Sequence, residues 1–214
     1  VDTGMGLERI VRILQGKTSN YDTDLWAPIF DAIQKLTGAV AYSGKFDDAI
    51  DIAYRVLADH IRCLVIAIAD GGRLGATGRE YVLRRILRRG VRHAHQTFGV
   101  DVPFLCKLVP AVIEILGETF PEIKEHQLQI EHIIQDEEES FLNTLDRGIA
   151  LFERAVQEGD GKTIDANSAF ALHDTFGLPI DLTEVMAEEC GVVVDRSGYE
   201  LLMEEAREAS KATS

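Results

Sequence analysis

Between Ile50 and Ile68 the chain places Tyr54, Leu57, Ile61 and Leu64 at intervals that alternate between four and three residues. That spacing draws one apolar stripe down an α-helix; a strand would need alternation at every second residue. The segment Cys63 to Ala69 is apolar on nearly every side, which predicts a helix at the centre of the core. Similar stripes recur on both sides of it. Leu25, Ile29, Ile33 and Leu36 predict a helix opened by Asp22 or Thr23 as cap and stopped near Gly38. Residues 103–116 predict another, kinked or divided at Pro110. From Glu122 to Glu158, the residues Ile130, Ile134, Phe141, Leu145, Phe152 and Val156 share one side of a long helix, or of two near-collinear ones. Gly159-Asp160-Gly161 breaks the pattern. Beyond it, Asp165 is expected to cap a helix through His173, and Gly177-Leu178-Pro179 to turn the chain. Asp181 is expected to cap a helix to Glu189, followed by a short strand at Val192 to Val194 and a last helix from about Ser197. At the other end, Val1 to Thr3 reads as the end of a strand, and Gly4-Met5-Gly6 as a turn into a helix through Leu14. The fold class is therefore mainly α, a helical bundle plus a smaller helical unit. Its sheet content is too small for a complete nucleotide-binding sheet.

The net charge is −14, from 22 Lys+Arg against 36 Asp+Glu, and one segment opposes it. Arg73, Arg79, Arg84, Arg85, Arg88, Arg89 and Arg92 fall within twenty residues, with Glu80 the one acid among them. On a helix, the last five lie within an arc of roughly 140°, opposite Val82, Leu83, Ile86, Leu87, Val91 and Ala94. Two readings are open. Such a comb suits a row of phosphates; it equally suits internal pairing with Asp136-Glu137-Glu138-Glu139. The overall charge repels nucleic acid, so binding would be confined to this face.

Other classes are excluded more directly. No apolar run approaches the roughly 18 residues of a membrane span. Cys63, Cys106 and Cys190 are odd in number and far apart, which predicts reduced thiols in a cytoplasmic setting rather than disulfides or a zinc site. His93 and His95 have no ligand partners at metal spacing, His60 reads as a structural residue, and no metal site is expected. Gly161-Lys162-Thr163 lacks the earlier glycine of a phosphate loop, since Val156 stands there. The chain opens at Val1 without Met, which is read as a piece of a longer protein.

The opening Val1-Asp2-Thr3-Gly4-Met5-Gly6-Leu7-Glu8-Arg9 fails as a dinucleotide fingerprint, because Arg9 replaces the third glycine. Its wording instead resembles motif 3 of the class II aminoacyl-tRNA synthetases, in the form found in the alanine–tRNA ligases. The resemblance continues through Gly16-Lys17-Thr18-Ser19-Asn20-Tyr21-Asp22-Thr23-Asp24-Leu25 and Arg55-Val56-Leu57-Ala58-Asp59-His60-Ile61-Arg62. It takes in Tyr81-Val82-Leu83-Arg84-Arg85-Ile86-Leu87-Arg88-Arg89, and His173-Asp174-Thr175-Phe176-Gly177-Leu178-Pro179-Ile180-Asp181-Leu182-Thr183.

This resemblance implies three parts: residues 1–20 as the end of the catalytic domain, 21–162 as a helical tRNA-recognition domain, and 163–214 as a smaller recognition subdomain. It implies a parent enzyme that activates alanine with ATP and magnesium and transfers it to the 3′ end of alanine tRNA. Asp2 would bind the alanine amino group, Gly4 would line its pocket, and Gly6 and Arg9 would meet ATP. The seven arginines would contact the acceptor stem, and Asp174 would read its wobble G·U pair. The sequence departs from the family at two places. Ala76 stands where the family has the Asn that shares this readout, and Glu80 stands where it has Gly. The alternative is a paralogous helical binding or scaffold module without tRNA specificity. With only Asp2, Gly4 and Arg9 of the activation site present, the chain alone is expected to bind no ATP and to form no alanyl-tRNA. Detection of alanyl-tRNA with the purified chain would refute that expectation.

Overall fold

The computed structural model describes residues 4–158 and 161–213, so the expected strand end at Val1 to Thr3 and the break at Gly159-Asp160 lie outside the described residues. Gly6 leads into α1 (Leu7–Leu14), and a 3-10 turn at Asn20–Asp22 precedes α2 (Ala27–Thr37). α3 (Ala49–Ala69) and α4 (Gly78–Phe98) form the principal helix pair. A 3-10 turn at Leu105–Leu108 runs into α5 (Val109–Leu116), followed by α6 (Pro121–Glu125) and α7 (Gln127–Glu158). Then come β1 (Thr163–Ile164), α8 (Ala166–Asp174), α9 (Ile180–Glu189), β2 (Val193–Val194) and α10 (Arg196–Thr213). The fold is mainly α-helical.

The sequence signals account for most ends. Asp48 caps α3, accepting from the Ile50 and Asp51 amides at 2.9 and 3.1 Å. Gly38 and Gly99 stop α2 and α4 in the left-handed conformation that a Cβ disfavours. Pro110 sits in the first turn of α5, where its missing N–H costs nothing, and so divides the apolar segment. Two caps differ from expectation. Trp26, not Asp22 or Thr23, precedes α2, because the Thr23 hydroxyl donates to the Asn20 carbonyl at 2.9 Å within the 3-10 turn. Pro179 precedes α9, which leaves Asp181 inside the first turn rather than capping it. Residues 163–164 pair in parallel with β2, a ladder too short to show any periodicity.

The chain forms two compact units, Val1–Glu139 and Ser140–Ser214. The division falls inside α7. The reason is packing in the second unit: the Thr144 hydroxyl donates to the Phe176 carbonyl at 2.8 Å, and a Cβ on Gly148 would lie 2.5 Å from Leu178 Cδ1. The second half of α7 thus builds its core with the segment that follows it.

In the first unit, Leu57, Ile61 and Leu64 of α3 are wholly buried, as the stripe requires. α7 contributes Ile130 and Ile134, and then Glu138, a carboxylate in the apolar register at 1% exposure. Glu138 accepts from the Phe104, Leu105 and Cys106 amides at 2.9, 2.8 and 3.0 Å, closing the start of the 3-10 turn. Burial pushes its pKa up, against the pull of these donors. The same setting drives the Cys106 thiol up to about 12, through burial first and the neighbouring carboxylate second. Cys106 is therefore an inert core thiol. Glu138→Ala would strand three buried amides, and we expect a loss of about 2–4 kcal/mol in urea unfolding.

Candidate nucleic-acid interface

The loop between α3 and α4 is built by glycine geometry. Gly71 has φ +85°, and the Gly72 amide donates to the Ala67 carbonyl at 2.8 Å. A Cβ on Gly72 would stand 2.5 Å from that carbonyl oxygen, so the chain turns here only without a side chain. At the far end, the Gly75 amide donates to the Glu80 carbonyl at 3.2 Å. Glu80 folds over this glycine, whose missing Cβ would meet the Glu80 Cβ at 2.6 Å. The backbone carbonyl of Glu80 therefore closes the loop, and its side chain covers Gly75. Ala76 and Thr77 are exposed at its tip, and Arg73 and Arg79 are exposed on either side. A cleft of about 480 Å³ between them is floored by Ala67, Val82 and Leu83.

The arginines of α4 do not form one open ridge, and this corrects the uniform comb inferred from their angular positions. Glu137 of α7 draws two of them inward. Arg88 donates to Glu137 Oε1 from Nε at 2.8 Å and from Nη2 at 2.6 Å. Arg84 Nε stands 3.2 Å from Oε2. The three side chains are 15%, 25% and 10% exposed in the order Arg88, Arg84, Glu137. Arg84 Nη2 also donates to the Leu74 carbonyl in the loop, at 3.3 Å. Arg92 is 5% exposed and donates to Gln96. The neighbours Arg85 and Arg89 remain half-buried. The Arg85 guanidinium lies 5.5 Å from the centroid of the Tyr81 ring, and the Arg89 charge acts on His60 of α3.

A second cluster surrounds the first turn of the chain. Gly6 has φ +74°, a conformation that favours glycine. The exposed Arg9 of α1 lines a cleft of about 450 Å³ with Gly4, Gly6, Asn20, Tyr21 and Trp26. Arg62 of α3 supports it from beneath. Its guanidinium lies 4.1 Å from the Trp26 ring centroid and pairs with Glu8. That pairing holds the Glu8 carboxyl below its ordinary value. Asp2 lies outside the described residues.

In the second unit, Asp174 is the exposed last residue of α8. The helix is capped by Asp165, which accepts from the Ser168 amide at 3.0 Å, and its His173 bonds to Tyr199 of α10. Among the described residues, no group of three His, Cys, Asp or Glu side chains is placed to hold a metal ion.

Residue pattern alone had not picked out Arg62, Trp26 or Glu137 as site residues. Glu137 did carry a signal, as part of the acidic run weighed against the arginines. The stacking of Arg62 carried none, since Trp26 lies 36 positions away in a separate helix cap.

The family model for class II (A) tRNA synthetases matches residues 1–214. The cytoplasmic alanine–tRNA ligase of Caenorhabditis elegans is 51% identical, over 99% of this chain and 22% of its own length. The alanine–tRNA ligase of Schizosaccharomyces pombe is 48% identical over 100% of this chain and 23% of its own. That of Chlorobaculum tepidum is 49% identical over 97% of this chain and 24% of its own. The chain thus spans less than a quarter of the length of these relatives.

His60 supplies a test of the packing of α3 against α4. Burial first, then the Arg89 and His93 charges, lower its pKa to about 4. The unfolded chain takes up this proton near pH 6.5, whereas the folded one refuses it until about pH 4. The contribution of neutral His60 is therefore complete above about pH 6.5 and is lost as pH falls toward 4. NMR titration is expected to find the imidazole neutral at pH 5.5, and His60→Leu to flatten that part of the stability profile.

Proposed function

We propose, from the premise that the chain belongs to the class II (A) tRNA synthetase family, that it is the portion of an alanine–tRNA ligase that holds the tRNA acceptor stem. The observation that carries this reading is the pair of exposed guanidiniums, Arg73 and Arg79, flanking a loop whose glycines and backbone bond to Glu80 fix its shape. Neither has an ion pair with a carboxylate of its own chain among the described residues, so both can meet phosphates. Arg85 and Arg89 lie alongside as further contacts. Arg84, Arg88 and Arg92 act behind this face, through the fold.

The parent enzyme would activate alanine with ATP and magnesium, then pass alanine to the 3′ end of its tRNA. Of this chain, Asp2 and Gly4 would meet alanine, while Gly6 and Arg9 would meet ATP by close backbone approach and by charge. Asp174 would read the wobble pair as a hydrogen-bond acceptor; the Ala76 methyl has no donor or acceptor to offer in place of the amide. The three-part division at residues 20 and 162 describes how the family's domains would map onto this sequence. The name of the nematode relative supports a cytoplasmic parent. No helix among the described residues is long and apolar enough to cross a membrane.

A second reading, a helical scaffold without tRNA specificity, is favoured by the Glu137 pairing, which removes two guanidiniums from the surface. Titration with an alanine acceptor-stem duplex across a salt series separates the two. Two to four phosphate contacts give a log–log slope of about −2 to −4, by analogy with duplex DNA. Arg73→Ala and Arg79→Ala should each lower its magnitude by about 0.9. A flat response would favour the scaffold. Replacing the G·U pair by G·C should weaken binding for the chain but not for Asp174→Ala; equal binding by the unaltered chain would refute the role of Asp174.

A further inference from the structure

We infer that Glu137 and Arg84 are positioning residues for the loop at 71–77, forming a relay from α7 through α4 to the loop backbone. Its consequence for binding rests on the RNA-contact reading above. The loop is pinned at its ends by backbone bonds, Gly72 to Ala67 and Gly75 to Glu80. Its middle is held differently. Arg84 Nη2 donates to the Leu74 carbonyl at 3.3 Å, next to Arg73 and two residues before the exposed Ala76.

Arg84 can hold that carbonyl because its own direction is set. Its Nε stands 3.2 Å from Glu137 Oε2 in an ion pair without a hydrogen bond, and Arg88 grips the other oxygen of the same carboxylate through two donors. A planar guanidinium is a rigid fork, so drawing one edge toward the carboxylate by charge aims the other at the loop. With the carboxylate 10% exposed, water screens these contacts weakly. A cleft of about 530 Å³ beside the relay is lined by Arg73, Leu74, Gln129, Ile133, Asp136 and Glu137. The loop therefore stands over open space on this side, with Arg84 as its strut.

Two roles for Glu137 predict opposite signs. If its carboxylate merely competes with phosphate for Arg84 and Arg88, Glu137→Gln frees two cations and tightens RNA binding. If it positions the loop, Glu137→Gln loosens Leu74, scatters Arg73 and Arg79, and weakens binding despite the more favourable charge. Arg84→Lys keeps the charge but replaces the fork by a point donor, and should behave the same way.

The test uses the 214-residue chain, Glu137→Gln, Arg84→Lys and an alanine acceptor-stem duplex at fixed salt, with amide exchange followed by NMR. We expect amides 74–77 to exchange about tenfold faster in both variants, and affinity to fall by about tenfold, the equivalent of one charge-assisted hydrogen bond. Amides of α3 around Leu57 to Leu64 should keep their protection, which separates loop release from general unfolding. Tighter binding by either variant, or unchanged exchange at the loop, would overturn the relay. If Glu137→Gln fails to fold, Arg84→Lys gives both readouts. If the unaltered chain binds no RNA, the RNA reading falls while loop exchange still decides the relay.

Discussion

Two adjacent carboxylates of α7 fasten the first unit in two directions. Glu138 points into the interior and takes three backbone amides at the start of the 105–108 turn. Glu137, one residue earlier and turned by about 100°, takes Arg84 and Arg88 of α4. Each would be costly alone. A buried carboxylate must recover its lost hydration, and a buried guanidinium must as well. Here the losses are offset together, because one helix turn presents both acceptors to donors already lined up on neighbouring elements. The arrangement ties α4, α7 and the chain before α5 into one body.

That fastening changes what the arginine-rich helix can do. Seven guanidiniums on a chain with net charge −14 suggest a broad cationic face. Three of them turn inward, and the outward charge concentrates at the loop, on Arg73 and Arg79. A small, fixed cationic site suits an acidic protein, since bulk repulsion keeps polyanions away except where the geometry fits. Of the inward arginines, Arg84 serves the outward ones by bonding the loop backbone beside Arg73.

The cleft around Arg9 follows the same economy of parts. Arg62 lies over Trp26 and engages Glu8, so the first turn of α1 is anchored to α3 through one guanidinium. The exposed Arg9 is left on the open side of a helix whose position that contact defines. In both clusters, an arginine that faces the protein fixes one that faces solvent.

The sequence by itself determined the helices, because their spacing is local: the stripe from Ile50 to Ile68, the Asp165 cap and the Gly38 stop each act within a few residues. It also carried the family resemblance, in blocks spread from Val1 to Thr183. A close look at the stripe of α7 shows Glu138 and Gly148 standing where apolar residues belong, four after Ile134 and four before Phe152. Tertiary structure alone decided which arginines meet Glu137, where the two units divide, and that residues 163–164 pair with 193–194. Each of these joins residues far apart in sequence. A helical wheel gives the direction of a side chain but not its neighbour, and for a charged group the neighbour sets whether it serves the fold or a ligand.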